Sequence, residues 1–247
     1  MAHSSYRLRR LHRFLGVTVG IQLLFWTLSG LYFAWSDLDA VHGDPQKRAP
    51  GPLPAGDSLV GPATVLEQLR RAEGDFDLSD LRLVNVLGQP CWQIVFVPAT
   101  HREHGMKMRR LVDARTGSLR PALSETEAVA AARVAFNGDP EIETVEYLTE
   151  VDGHHEFRDD PLPAYAVTFR NPARTTVYVS TQLGTVQKFR NDQWRLFDLL
   201  WMFHTMDYRT RDDINNGVLR FFSVLGLLTV ISGFVLFFMS VKRRSNA

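Results

Sequence analysis

The sequence predicts an α+β fold, with two transmembrane helices flanking an exported domain built from two tandem helix-plus-antiparallel-sheet units. Three observations predict it. Two apolar runs, residues 14–35 and 218–241, are each long enough to cross a bilayer as helix, which takes about 20 residues. The polar chain between them holds short runs of alternating apolar and polar residues, the pattern of half-buried strands. Within that middle, one plan of an amphipathic helix followed by strands occurs twice.

Composition sets outer bounds. The chain has 247 residues, of which 45% are hydrophobic, and a formal net charge of +1. That length allows one or two domains plus anchors, and the charge balance gives no reason to expect a nucleic-acid partner. Cys91 is the single cysteine. One chain therefore forms no disulfide and no cysteine-ligated iron–sulfur or zinc cluster.

Residues 1–13 carry Arg7, Arg9, Arg10 and Arg13 ahead of the first apolar run, 14–35. That run exceeds a signal-peptide core and no small-x-small cleavage site follows, so it reads as an uncleaved anchor. The second run is closed by Lys242, Arg243 and Arg244, in the tail 242–247. Basic residues at both outer ends place both termini in the cytoplasm and residues 36–216 outside it. In a Gram-negative cell this means the inner membrane and a periplasmic domain. Small residues recur on one face of each span: Gly16, Gly20, Thr27 and Gly30, then Ser223, Gly226, Val230 and Gly233. Such faces allow close helix packing, or leave room for a flat macrocycle. The two readings are compatible.

Residues 36–61 are rich in proline, glycine and aspartate and read as a linker. The first unit, 62–121, opens with a helix carrying Val65, Leu66, Leu69 and Ala72 on one face. Strands are expected at 81–87, 91–97, 106–113 and 118–120. The second unit, 122–192, opens with Ser124 and Glu127, a capping box. Its strands are expected at 142–148, 164–170, 174–180 and 185–189. The turns DARTG and STQLG and the strands WQIVF and YAVTF echo one another between the units. The stretch between two strands containing His101 and His104 reads as a loop. The stretch 152–160, with His154 and His155 among carboxylates, reads as a solvated hairpin tip.

Residues 193–217 form an amphipathic, interfacial segment that ends in a polar turn before the second span. His204 lies in it among Trp201, Phe203 and Tyr208, just outside the bilayer on the exported side. Arg211, Asp212 and Asp213 are expected to cap the entry to the span, and the aspartates to orient His204.

These residues resemble a known family. The repeated unit looks like the PepSY domain, and the ends resemble the PepSY-associated transmembrane family. The resemblance rests on Leu11-His12-Arg13-Phe14-Leu15-Gly16 at the first span. At the second it rests on His204-Thr205-Met206-Asp207-Tyr208, the polar turn from Arg211, and Ser232-Gly233. Better-known members have more spans; some are bacterial inner-membrane ferric-siderophore reductases with histidine-held haem. The resemblance thus implies haem b, electron transfer, and a haem-dependent ferric reductase or electron-transfer protein.

His204, His12 and His42 are the candidate haem-iron ligands, since neutral imidazole is a common axial ligand. His12 and His204 sit at opposite ends of a hydrocarbon core about 30 Å thick, so they cannot share one iron. His42 is the candidate partner of His204, or else a linker residue. His12 calls for a second ligand from His3 or from His12 of a second copy, two copies making a four-helix bundle. Otherwise His12 is a residue reaching to the interface among arginines, and His204 an interfacial histidine in contact with water. No nucleophile arrangement, phosphate loop or dinucleotide fingerprint is present. Expected partners are membrane lipid, a second copy or partner membrane subunit, and a ferric chelate or periplasmic protein as acceptor. The rival expectation is a cofactor-free binding or regulatory membrane protein, or an accessory subunit of a larger membrane complex.

Overall fold

A computed structural model describes the backbone of residues 2–53 and 58–245, and the side chains of residues 6–53 and 58–241. Residues 54–57 of the expected linker and the side chains of His3, Lys242, Arg243 and Arg244 lie outside that description. The chain divides into two units, residues 1–37 with 195–247, and residues 38–194.

The first unit is helical. Helix α1 runs Ala2–Trp35, and the last helix, α6, runs Gly217–Ser245. Within them Tyr6–Trp35 and Gly217–Val241 are long and apolar enough to cross a membrane. Helix α5, Asp192–Thr205, precedes α6 and is joined to it by a polar turn. Buried Leu15, Val19 and Ser29 on α1 alternate with Gln22, Trp26 and Phe33, which touch α5. These positions recur every three or four residues, the spacing of a helix-packing seam.

The seam is not the glycine face expected from the sequence. A methyl group added at Gly16, Gly20, Gly30 or Gly226 would meet no atom within 4 Å. Within one chain those glycines bring no helix closer. Gly233 alone among the span glycines faces a neighbour, His12.

The second unit contains the two repeats. Helix α3 (Pro62–Glu73) leads to strands β1 (Phe76–Val86), β2 (Gln89–Pro98), β3 (Met108–Asp113) and β4 (Leu119–Arg120). Helix α4 (Glu125–Ala135) leads to β5 (Ile142–Leu148), β6 (Ala164–Phe169), β7 (Thr176–Ser180) and β8 (Val186–Arg190). Each set forms one antiparallel sheet in chain order, as sequential hairpins do. The Ser124–Glu127 capping box is present at the start of α4. Strand β1 begins five residues before the expected 81, in a polar edge segment whose register shifts between Leu78 and Asp80.

The period of two along each strand explains how the layers stack. On β2 and β3, Ile94, Phe96 and Val112 point to Val65 and Leu69 of α3. Their neighbours of opposite parity, Cys91 and Leu111, join a different core with Ala128 and Ala132 of α4 and with Val167, Phe169, Val177 and Val179. The first sheet is therefore covered on both faces, by its own helix and by the second repeat. Gln93 ties the repeats further by donating to the Leu183 carbonyl at 2.5 Å and to Thr185 Oγ1 at 2.9 Å.

The second sheet is also covered twice. Ala164, Ala166 and Tyr178 of β6 and β7 face away from α4 and pack on Phe157, which is fully buried. The Phe157 ring stacks on Tyr178 at 4.6 Å and 8°, and Tyr178 donates to Glu156 at 2.6 Å. The 152–160 stretch is thus only partly solvated: residues 152–154 are exposed as expected, but Phe157 anchors the rest to the sheet. One aromatic residue in a polar stretch supplies enough apolar area to fold it onto the sheet.

The residues expected as a linker are partly docked. Helix α2, Leu38–His42, is followed by a 3-10 turn at Asp44–Gln46. Arg48 N–H donates to the Ala135 carbonyl at 2.8 Å, Asn137 N–H to that of Gln46 at 2.8 Å, and Asn191 to that of Ala40 at 2.9 Å. Gly43 adopts φ 75° with Phe189 Cβ 3.2 Å from where its own Cβ would be. A proline- and glycine-rich composition marks an irregular backbone, but not a loose one.

Candidate functional site

His204 occupies the last turn of α5 and faces α1. Its Nδ1 lies 2.8 Å from Ser29 Oγ. Trp26 Nε1 donates to the His204 carbonyl oxygen at 2.6 Å, and Gln22 to that of Phe203 at 3.3 Å. These are the carbonyls that the end of a helix leaves without internal partners. Around the imidazole stand Trp201, stacked at 6.2 Å and 11°, Phe33 at 5.5 Å edge-on, and Trp26 at 6.4 Å. Phe197, Trp201 and His204 fall at successive helical turns and meet Phe33 together.

The level of His204 differs from the expected one. Ser29 lies six residues before Trp35, about 9 Å along the axis at 1.5 Å per residue. His204 therefore sits alongside the apolar stretch of α1 and not beyond its end. The last turn of α5 accompanies α1 inward, with Leu196 and Leu199 exposed on its outer side.

His12 repeats the arrangement at the other end. Its Nδ1 lies 2.8 Å from Ser232 Oγ on α6. Its Cε1 is 3.3 Å from the position a Cβ would take on Gly233. Any side chain at 233 would crowd the ring.

The serines define the state of both imidazoles. A hydroxyl has one hydrogen. Ser29 Oγ is 2.7 Å from the Phe25 carbonyl oxygen and 3.1 Å from that of Trp26. Ser232 Oγ is 2.8 Å from the Thr229 carbonyl oxygen. Both hydroxyls thus direct their hydrogen to their own helix backbone. The oxygen is left to accept, so the imidazole donates from Nδ1. Assigned from this network, the neutral ring keeps its lone pair on Nε2. This is the tautomer in which a histidine ligates metal through Nε2 while its other nitrogen is held by a hydrogen bond.

Both imidazoles therefore suit one axial position of a haem iron. Ser29 lies 17 residues from His12 on α1, about 26 Å along the axis. The two rings cannot meet on one iron, as expected. His12 and His204 are the only histidines of this unit with described side chains. His42 belongs to the other unit, where it ends α2, is exposed, and lines a cleft beside β8. Among the described residues no group of three or more histidine, cysteine, aspartate or glutamate side chains converges to hold a metal ion.

The polar turn is organised around Asp198 and Asp207. Arg211 pairs with buried Asp198 of α5. Asp207 accepts from the Thr210 hydroxyl and from the backbone N–H groups of Arg209, Thr210 and Asp213. Burial pushes the Asp207 carboxyl up, but these four hydrogen bonds outweigh it and hold the group well below the usual carboxylate range. Asn216 caps α6, accepting from Leu219 N–H at 2.8 Å. His101 and His104 lie in a 3-10 turn between β2 and β3.

Ser29 carries no expected role, and Ser232 enters the expectations only through the Ser232-Gly233 motif, without a role toward His12. A signal was present: each span contains a Ser-Gly pair, Ser29-Gly30 and Ser232-Gly233, and each serine receives a histidine from another helix.

Two apolar helices joined through an α+β domain, with a serine-held imidazole at each end of the helical unit, define the chain as a membrane protein. The chain belongs to the family described as the PepSY-associated TM region, which matches residues 2–240. Comparison with curated proteins and with solved structures returned no match.

Proposed function

We propose that this is a bacterial inner-membrane protein of b-type cytochrome character, with both termini cytoplasmic and residues 38–194 in the periplasm. It moves electrons between the membrane and a periplasmic acceptor, a ferric chelate or a protein. The observation that carries the reading is the repeated pairing of a histidine Nδ1 with a backbone-anchored serine, which leaves Nε2 of His12 and His204 free to ligate. The resemblance to haem-binding ferric-siderophore reductases supplies the cofactor class.

Bound haem supplies one-electron chemistry. His204 would hold the iron of one haem toward the periplasmic side, and His12 that of another toward the cytoplasmic side. Ser29 and Ser232 fix ring orientation and tautomer. Trp26, Phe33 and Trp201 flank His204 and keep water from it. A second ligand for His204 would come from His204 of a second copy, and one for His12 from His12 of that copy. The unobstructed glycine faces of α1 and α6 leave room for a macrocycle or for that copy.

The test is a visible spectrum of the full-length protein purified after expression with added haem. Soret and α bands are expected, and His204→Ala removes or alters one component. A colourless preparation overturns the proposal and leaves the cofactor-free regulatory module or accessory subunit as the reading.

A further inference from the structure

The residues that line one side of β8 form a cleft of about 590 Å³. That volume lies within the rough range of small-molecule sites, 300–1,000 Å³. One wall is β8, an edge strand of its sheet. The other is the docked segment after α2. Lys47, Arg48, Lys188 and Arg190 line it, with His42 at the rim and Asp44 as its one carboxylate. Phe189 and Ala135 add an apolar surface.

Several of these cations have partners, and what remains matters. Lys47 pairs with Asp44 at 2.5 Å, an exposed pair of little strength. Lys188 pairs with Asp160. Arg190 donates Nε to the Glu156 carbonyl at 3.0 Å and lies 4.0 Å over the Trp194 ring. Burial pulls its guanidinium below the ordinary value, while the Asp160 and Glu156 charges pull the other way. Among the described residues no hydrogen bond or ion pair holds the Arg48 side chain, although its backbone N–H is fixed to Ala135. The cleft thus offers an uncommitted guanidinium fork on a rigid backbone. A second, half-buried guanidinium and two ammonium groups surround it.

We infer that this cleft binds an anion carrying a phosphate or carboxylate head and an apolar part that rests on Pro50, Ala135 and Val186. Planar guanidinium forks pair bidentately with such heads, and the apolar part of the lining takes the remainder. Two sources have this chemistry: an anionic lipid headgroup and a soluble phosphate or polycarboxylate. The inference is independent of haem and needs neither His12 nor His204.

The experiment uses the full-length protein, with the Trp194 ring as reporter of Arg190. Citrate and inorganic phosphate are titrated in detergent, following tryptophan fluorescence, with Trp194→Phe as the control that removes the signal. In parallel, the protein is reconstituted in nanodiscs of phosphatidylcholine with or without phosphatidylglycerol, and retained lipid is counted by native mass spectrometry. The variant is Lys47→Gln/Arg48→Gln; both side chains are exposed, so its unfolding midpoint without ligand stays that of the parent. A saturable response to citrate or phosphate, weakened at least tenfold in the variant, assigns a soluble anion. Selective phosphatidylglycerol retention, lost in the variant and without a citrate or phosphate response, assigns a lipid headgroup. No saturable binding of any probe, or binding equal in parent and variant, overturns the inference.

Discussion

Removing one hydroxyl, in Ser29→Ala, separates a ligand-orienting serine from a packing serine. Ser29 is 1% exposed, and its oxygen sits 2.8 Å from His204 Nδ1. Alanine fills the same backbone space without strain but leaves the Nδ1–H donor without its acceptor. An orphaned buried donor costs about 1–3 kcal/mol. Losing the hydrogen bond behind a metal-ligating histidine lowers metal affinity about 10–100-fold. At about 1.4 kcal/mol per factor of ten, that is roughly 1.4–2.8 kcal/mol, so the two routes agree. Haem loss to an excess of a haem-scavenging globin, followed at the Soret band, should therefore quicken by one to two orders of magnitude. Helix association alone should change little, since hydrogen bonds between membrane helices average about 0.6 kcal/mol. If Ser29→Ala loses haem within twofold of the parent rate while His204→Ala abolishes the same band, the orienting role is wrong. Ser232→Ala should act in the same way on the band that depends on His12.

Further outcomes follow from packing and charge. Phe157→Ala empties a fully buried site against Tyr178 and should destabilise the 38–194 unit by about 3–5 kcal/mol, read by denaturant unfolding of the full chain. Gly184→Ala forces φ 68° on a residue whose Cβ would stand 2.7 Å from Leu111 Cδ1. Left-handed strain plus overpacking should cost about 2–5 kcal/mol, loosening the shared core of both repeats in hydrogen exchange. Asp207 has a folded pKa below its unfolded one. Its contribution to stability is fully present above about pH 4, the ordinary carboxylate range. It is lost as pH falls through the folded value, and Asp207→Asn should flatten that acid limb of the unfolding-midpoint profile. A limb unchanged in Asp207→Asn would place the acid sensitivity elsewhere.

Some of this architecture was legible at the level of single residues. The bounds of β5, 142–148, were legible because a run rich in β-branched and aromatic residues lies there between turn-forming residues. Ser124 and Glu127 marked the start of α4, since a capping box is a local structure. Strands buried on both faces were harder. In β7 every residue is buried, so its pattern says nothing about which face meets α4 and which meets Phe157. The same limit hid the 152–160 stretch, where composition is polar and one phenylalanine decides the packing.

The histidines show the division most clearly. Their residue type, their positions relative to two apolar runs and their separation across a bilayer thickness were written in the linear order of the chain. Helix length and rise fix those quantities locally. The identity of each ring's neighbour was not. Ser29 is 175 positions from His204, and Ser232 is 220 from His12. Only packing of one helix against another brings such pairs to 2.8 Å. The tertiary structure alone therefore decided which hydroxyl each ring meets, how far along α1 His204 sits, and that Gly16, Gly20, Gly30 and Gly226 stand clear of the seam. A hydrogen bond between distant residues depends on a helix crossing, and no local preference of the chain encodes one.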